Sequence, residues 1–218
     1  MCHDNRDYLS GPKYVGNVSL DGKTAIITGA NSGLGKELTR QLAKRENIRV
    51  DFLVNNAGVM DYQRKVSVDG IEQHLAINYL GHFLLTNLLI SRPGTEPIGK
   101  IVNVLCRQKI KKIDFEDLNC DKSPYDGRVA YSQSKYALFL FTKELAKKVQ
   151  AMELPTVVCG VFPGIVNTSL PRNLVASNNF VFRIMYKPFL WLFMKSPYQG
   201  VMPILRVLLE ETPSGTIY

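Results

Sequence analysis

The chain is short of cysteine and histidine and has no long apolar run, and each shortage removes a class of function. Four cysteines and three histidines are scattered over 218 residues. Cys2, Cys106, Cys120 and Cys159 form no Cys-x-x-Cys pair, so no metal site is expected. Idle thiols in a reducing compartment fit this pattern better. No window approaches the roughly 18–20 apolar residues of a membrane-spanning helix. Residues 1–20 hold no apolar stretch of the signal-peptide kind. The expectation is a protein that is not secreted, lying in the cytoplasm or peripherally on an intracellular membrane. Acidic residues number 19 against 27 lysines and arginines, a formal charge of +8. That excess suits nucleic acid, an anionic membrane surface or a phosphorylated cofactor. No RNP-like, zinc-finger or basic-zipper pattern accompanies it, so nucleic acid is not an expected partner. A solvated surface explains most of the charge.

What is present is an alternation of short apolar runs with helical stretches. Residues 1–20 read as an irregular lead-in, and 21–218 as one domain. Lys23–Thr28 is a buried strand by its β-branched run. Gly29, Gly33 and Gly35 follow, opening a helix to about Arg45. Strand, glycine turn and helix N-terminus together make a cradle for a pyrophosphate. The spacing is Gly-x-x-x-Gly-x-Gly, not the usual dinucleotide fingerprint. Val50–Val54 is a second strand, ending in Asn55, Asn56, Ala57 and Gly58, at the strand end where ligands sit in open α/β sheets. A long helix from Gly70 to about Leu89 carries Asn78 and His82. Lys100–Leu105 is a third strand with Cys106 just beyond it, and Thr156–Phe162 a fourth, followed by Pro163, Gly164 and Thr168. A last helix spans Pro197–Glu211, and Ser214–Tyr218 begins another strand. The fold class is α/β, a parallel sheet with helices on both faces.

Tyr131 and Lys135 stand four residues apart on the helix from Val129 to about Met152, on one face and a turn apart. A cation near a phenol favours phenolate and lowers its pKa from about 10, which suits proton exchange with a substrate oxygen. Alone, that spacing equally describes a half-buried tyrosine and a solvated lysine. From Phe180 to Phe193 aromatic residues alternate with Arg183 and Lys187. A lid over a greasy substrate, an interfacial helix and a core helix all remain open there, and Pro188 argues against one straight helix.

Thr28-Gly29-Ala-Asn31-Ser32-Gly33-Leu34-Gly35, Asn55-Asn56-Ala57-Gly58, Asn78 within INYLGHFLLTNLL, Tyr131-x-x-x-Lys135 and Pro163-Gly164-x-x-x-Thr168 occur in that order. Together they resemble the short-chain dehydrogenase/reductases, most of all the retinol dehydrogenase subgroup. The resemblance implies a Rossmann-like doubly wound sheet and hydride transfer between NAD or NADP, with NADP favoured, and an alcohol or carbonyl carbon. It implies that Tyr131 is the acid/base, that Lys135 lowers its pKa and holds the nicotinamide ribose, and that Asn78 supports a water that relays protons. By the same resemblance Gly29, Asn31, Ser32, Gly33, Leu34 and Gly35 line the pyrophosphate. Asn56, Ala57 and Gly58 would lie beside the adenosine half, and Pro163, Gly164 and Thr168 at the carboxamide. The implied substrate is a lipophilic retinol/retinal-like pair. The implied partners are a second copy, through the helices 70–89 and 129–152, and a membrane surface through 180–195. A non-catalytic relative acting through that dimer surface is the alternative.

Three departures stand against the pattern. Cys106 stands where a serine would hold the substrate oxygen, a weak donor in place of a strong one, and Ser132 and Ser134 lie on the wrong element to replace it. The stretch from Gly35 to Asn55 is short by roughly 50 residues, the second and third strands of the doubly wound sheet with their helices. Asp51, about twenty residues past the glycines, is not expected to be a ribose ligand, because it opens the strand before Asn55. Most of the last strand is also expected to be missing. The shortened connection poses a topological choice. If the helix after Gly33 keeps its usual face, the first crossover is left-handed, a hand that parallel sheets avoid in about 98% of cases. The first strand also becomes a sheet edge.

Overall fold

A computed structural model describes residues 23–30, 33–43, 50–90, 97–107, 112–122, 124–164, 166 and 195–218. Four parallel strands lie in chain order: β1 (Thr24–Ile27), β2 (Val50–Asn55), β3 (Lys100–Val104) and β4 (Val157–Val161). Beyond β4, Ile217 bridges Gly160 in parallel, and the Phe162 and Tyr218 amides donate to Tyr218 O and Gly160 O. The chain end thus begins a fifth position in the sheet, as its sequence suggests. Among the described residues β1 is the opposite edge.

The strands are short apolar runs because both faces are covered. Alternation assigns the faces. Phe52, Val54, Val102, Val104, Cys159 and Val161 point to one side, where they join Leu38 and Leu42 of α1 (Gly33–Ala43) and Val201, Met202, Ile204, Leu205, Val207 and Leu208 of the last helix, α5 (Pro197–Leu209). Leu53, Ile101 and Val158 point to the other side, against Leu145, Ala146 and Val149 of α4 (Gly127–Ala151). Between β2 and β3, α2 (Gln73–Leu75), a π-helical turn (Ala76–Leu80) and α3 (Gly81–Ile90) run on as one helix, whose Leu85 and Leu89 pack on that second face. This helix starts later than Gly70, which instead has φ +74° in the preceding turn.

These faces settle the topological choice. The steps from β1 to β2, β2 to β3 and β3 to β4 all move the same way across the sheet. The last two cross on the α4 face and the first crosses on the α5 face. The β1–α1–β2 unit therefore has the opposite hand to β3–α4–β4. With the usual right hand for the α4 crossover, the α1 crossover is the rare left-handed one. The helix has kept its face because Leu38 and Leu42 fill the space beside α5.

Helix ends are set by side chains. Asp126 caps α4 by accepting from Arg128 N at 2.8 Å, and Ser196 with Gln199 forms a capping box on α5, which has Pro197 at its start. Lys100 closes the other end of α5 by donating to Val207 O at 2.9 Å and to Glu210 O.

Leu38 is fully buried between sheet and α5, so Leu38→Ala is expected to lower stability by about 2–5 kcal/mol. Leu84→Ala, at a position 59% exposed, is expected to stay within about 0.5 kcal/mol. Urea melts of the two variants check the difference.

Candidate active site

The candidate site lies at the C-terminal ends of β1, β2 and β3. Gly29 and Gly33 have φ of +68° and +51°, a backbone region that L side chains rarely adopt. Gly35 is held closer still: a Cβ there would lie 2.3 Å from Gly29 O and 2.5 Å from Asn56 Nδ2. Gly29 and Gly35 thus let the backbone of the turn come close to itself and to Asn56 and Ala57. Asn31 and Ser32 lie outside the described residues.

Thr28, the residue before the turn, ties it to the end of β2. Its hydroxyl oxygen accepts from Asn56 N and Ala57 N, both at 2.9 Å, and its carbonyl accepts from Asn56 Nδ2 at 2.9 Å. Its side chain also meets His82 Nε2 at 3.1 Å. His82 Nδ1 faces the carbonyl of Asn78 at 3.2 Å, which can only accept. Nδ1 therefore carries the proton and Nε2 accepts, which draws the Thr28 hydroxyl hydrogen to it at 3.1 Å rather than to Val54 O at 3.4 Å. Burial first, and then the Lys135 charge, press the His82 pKa down to about 4. His82 is a neutral bridge between the glycine turn and the π-helical turn that holds Asn78.

Asn78 is fully buried, its side chain clamped to Val59: it accepts from Val59 N at 2.8 Å and donates to Val59 O at 3.1 Å and Ser134 Oγ at 3.0 Å. Ser134 in turn donates to Tyr131 O, so its hydroxyl supports the frame. Lys135 is buried and donates to Val104 O at 3.1 Å; burial lowers its pKa to about 8, partly offset by Cys106. Gly58 lies between these two. A Cβ there would sit 3.5 Å from both Asn78 Oδ1 and Lys135 Nζ. Gly58 thus lies beside Asn78 and Lys135.

Tyr131 is one turn before Lys135 on α4, and Cys106 is the group that acts on its phenol. Cys106 follows the end of β3 (Lys100–Val104), as its place in the sequence suggests. The phenol's pKa moves opposite to the expected direction. Burial, and then Cys106, push it up. Depth was not legible in the Tyr-x-x-x-Lys spacing, and desolvation of the anion is the largest cause of the shift.

A second buried cluster was missed in the sequence. Glu72 accepts from His74 Nδ1 at 2.8 Å, from Leu75 N at 2.9 Å and from the Tyr125 hydroxyl at 2.9 Å. His74 Nε2 accepts from Asp61 N at 2.9 Å, which fixes its tautomer, and its ring meets that of Tyr131 edge-on at 6.0 Å. No helical or strand period joins Glu72, His74 and Tyr125, so no pattern announced them. The Asn78–His82 spacing of four was the available signal for the other bridge. Gly127 begins α4 against this loop; a Cβ there would fall 2.1 Å from Asp61 O.

Pro163 is buried and Gly164, with φ +81°, lies against Lys195. Thr168 and the aromatic stretch 180–193 lie outside the described residues, as does most of the 180–195 segment expected at a membrane. Among the described residues no helix is long and apolar enough to cross a membrane, and no group of three His, Cys, Asp or Glu could hold a metal ion.

Residues 45–179 match the short chain dehydrogenase family model. The chain belongs to this family. It is 34% identical to mouse (Mus musculus) "Retinol dehydrogenase 13" over 259 aligned positions, covering 94% of this chain and 77% of the relative. It is 35% identical to human (Homo sapiens) "Retinol dehydrogenase 12", over 77% of this chain and 69% of the relative. In the first alignment roughly fifty positions of the relative face gaps in this chain. Among solved structures, an uncharacterized protein from Mycobacterium Paratuberculosis superposes with a TM-score of 0.69 at 27% identity, over 91% of this chain and 81% of its own. The angucycline C-6 ketoreductase LanV, solved with bound NADP, gives 0.62 at 18% identity, over 91% and 94%, a likeness of fold. The sheet is a reduced Rossmann-like one, with fewer strands than the doubly wound pattern.

The His82 bridge makes a pH signature. Its folded pKa lies below the ordinary 6.5, so its contribution to stability is complete above about pH 6.5 and is lost as pH falls toward 4. The loss expected from this group is about 3 kcal/mol at most. His82→Gln is expected to be less stable than the parent at pH 7 and to lose less on acidification. Urea melts at pH 7 and pH 4.5 compare the two.

Proposed function

We propose that this chain is an NAD(P)-dependent oxidoreductase that interconverts a lipophilic alcohol and its aldehyde or ketone, of the retinol/retinal kind, with one donor of its site weakened. The observation that supports this reading best is the position of Gly58. It leaves a gap that a Cβ would fill between Asn78 and Lys135, on the same sheet edge as the glycine cradle. The cradle would take a nucleotide's phosphate, and the open side of Gly58 would let its nicotinamide ribose approach Lys135. A bound nicotinamide would supply or accept the hydride.

The chain's own residues would do the rest. Lys135 uses one donor on Val104 O and would turn others to the ribose hydroxyls. Tyr131 would give its proton to the substrate oxygen in reduction and take it back in oxidation. Its raised pKa keeps it protonated at neutral pH, which suits the acid role more than the base role. Asn78, its side chain clamped to Val59 and its carbonyl facing His82 Nδ1, would support a water that relays protons. Cys106 would face the substrate oxygen with a weak donor. Residues 21–218 would act as one domain, with the segment 180–195 supplying apolar cover and contact with a membrane surface.

A second reading is favoured by one surface. Phe83, Leu84 and Leu88 on α3 and Val129 and Leu140 on α4 are 40–62% exposed. A non-catalytic relative acting as a homodimer through these helices would need that face and not Tyr131.

Turnover of retinal with NADPH or NADH separates the readings. Tyr131→Phe is expected to abolish the parent's rate, and Cys106→Ser to raise it by on the order of 10²-fold. The absence of saturable cofactor binding at millimolar concentration would exclude the enzyme and leave the surface. Cofactor affinity is also expected to weaken between pH 7 and pH 9, as Lys135 loses its charge near about 8. Fluorescence titration at the two pH values reads it.

A further inference from the structure

The nicotinamide end of the cleft is built, but the flank that would hold the other half of a dinucleotide is not. In a doubly wound sheet the adenosine ribose meets an acidic residue that follows the glycine turn by about 20 residues, on the far side of the first strand. Here β1 has β2 on one side, and no described strand on the other. Between α1 and β2 only residues 44–49 remain, while a crossover to a further parallel strand takes a dozen or more.

The acidic residue at that sequence distance is Asp51, and it is committed elsewhere. It lies near the start of β2, where Oδ1 accepts from Lys23 Nζ at 3.1 Å. The register Thr24↔Val50 puts this ion pair at the N-terminal edge of the sheet, while Thr28 and Asn55 stand at the ligand edge. Four residues of strand, about 13 Å, separate the two edges. The groups that the resemblance assigns to the adenosine half are also occupied. Asn56 N, Asn56 Nδ2 and Ala57 N all donate to Thr28.

We propose that the cleft is a half-site that recognises the nicotinamide mononucleotide portion, with its phosphate on the glycine cradle, and leaves the adenosine portion unrecognised. The chain then binds reduced nicotinamide mononucleotide nearly as well as NADH, and does not discriminate NADH from NADPH. This rests on the reading of Gly58, Lys135 and the glycine turn as a nicotinamide site.

The full-length chain is titrated with reduced nicotinamide mononucleotide, NADH and NADPH at one fixed salt concentration, following nicotinamide fluorescence. The three dissociation constants are expected to agree within about tenfold, and Gly58→Val, which fills the gap at Lys135, to weaken all three by at least about tenfold. Thermal melts of the variant confirm that it is folded; if it is not, Gly58→Ala takes its place. Either dinucleotide binding more than tenfold tighter than the mononucleotide, or a difference beyond tenfold between NADH and NADPH, overturns the half-site and leaves the oxidoreductase reading standing. Binding that a folded Gly58 variant does not weaken places the ligand elsewhere and also overturns it. If none of the three binds at millimolar concentration, both readings fall.

Discussion

The Thr28 hydroxyl is the joint on which the site depends. It accepts from two backbone amides at the end of β2 and donates to His82, while the carbonyl of the same residue takes the Asn56 side chain. A single residue thereby fixes the exit of β1, the Asn56–Gly58 turn and the helix that carries Asn78. None of these bonds is individually large; neutral hydrogen bonds contribute about 1 kcal/mol each. Their effect comes from being shared. Three elements distant in sequence meet on one oxygen, so the glycine cradle cannot shift without disturbing the helix behind it.

Above that joint the polar groups are layered by burial. Asn55, Asn103, Thr86 and Thr142 are fully buried and bonded to one another across the sheet, with Asn55 Nδ2 to Asn103 Oδ1 at 2.8 Å and Asn103 Nδ2 to Thr142 Oγ1 at 2.9 Å. Nearer the cleft come Asn78, Ser134 and Lys135. Last comes Cys106, half-buried and beside the Tyr131 phenol. The frame is satisfied almost throughout. The weak member is the one that would touch substrate.

Much of this was legible in the chain itself. The strands were readable because both sheet faces are buried, which turns each strand into a continuous apolar run. The cradle was readable because only glycine allows the φ values and approaches of Gly29, Gly33 and Gly35. The edge position of β1 and the hand of its crossover followed from chain length, once the face of α1 was known; that face depends on Leu38 and Leu42 meeting α5, a contact no local pattern reveals. The Tyr131 pKa was misjudged because spacing records which charges are near and not how much water is lost. Glu72, His74 and Tyr125 were invisible because their meeting is made by loops. The neighbours of Gly58, Asn78 and Lys135, were invisible for the same reason: they come from two other elements.

Gly127 has no part in the chemistry, yet it works as a spacer whose smallness is transmitted. It lets the start of α4 rest on the Asp61 carbonyl, and the Asp61 amide in turn holds His74. Any side chain there would lever the 59–62 strip outward, and Val59, which grips both ends of the Asn78 amide, would travel with it. Damage at the rim would arrive at Asn78 as a loss of aim. A hydrogen atom at position 127 thus governs the alignment of groups it never meets.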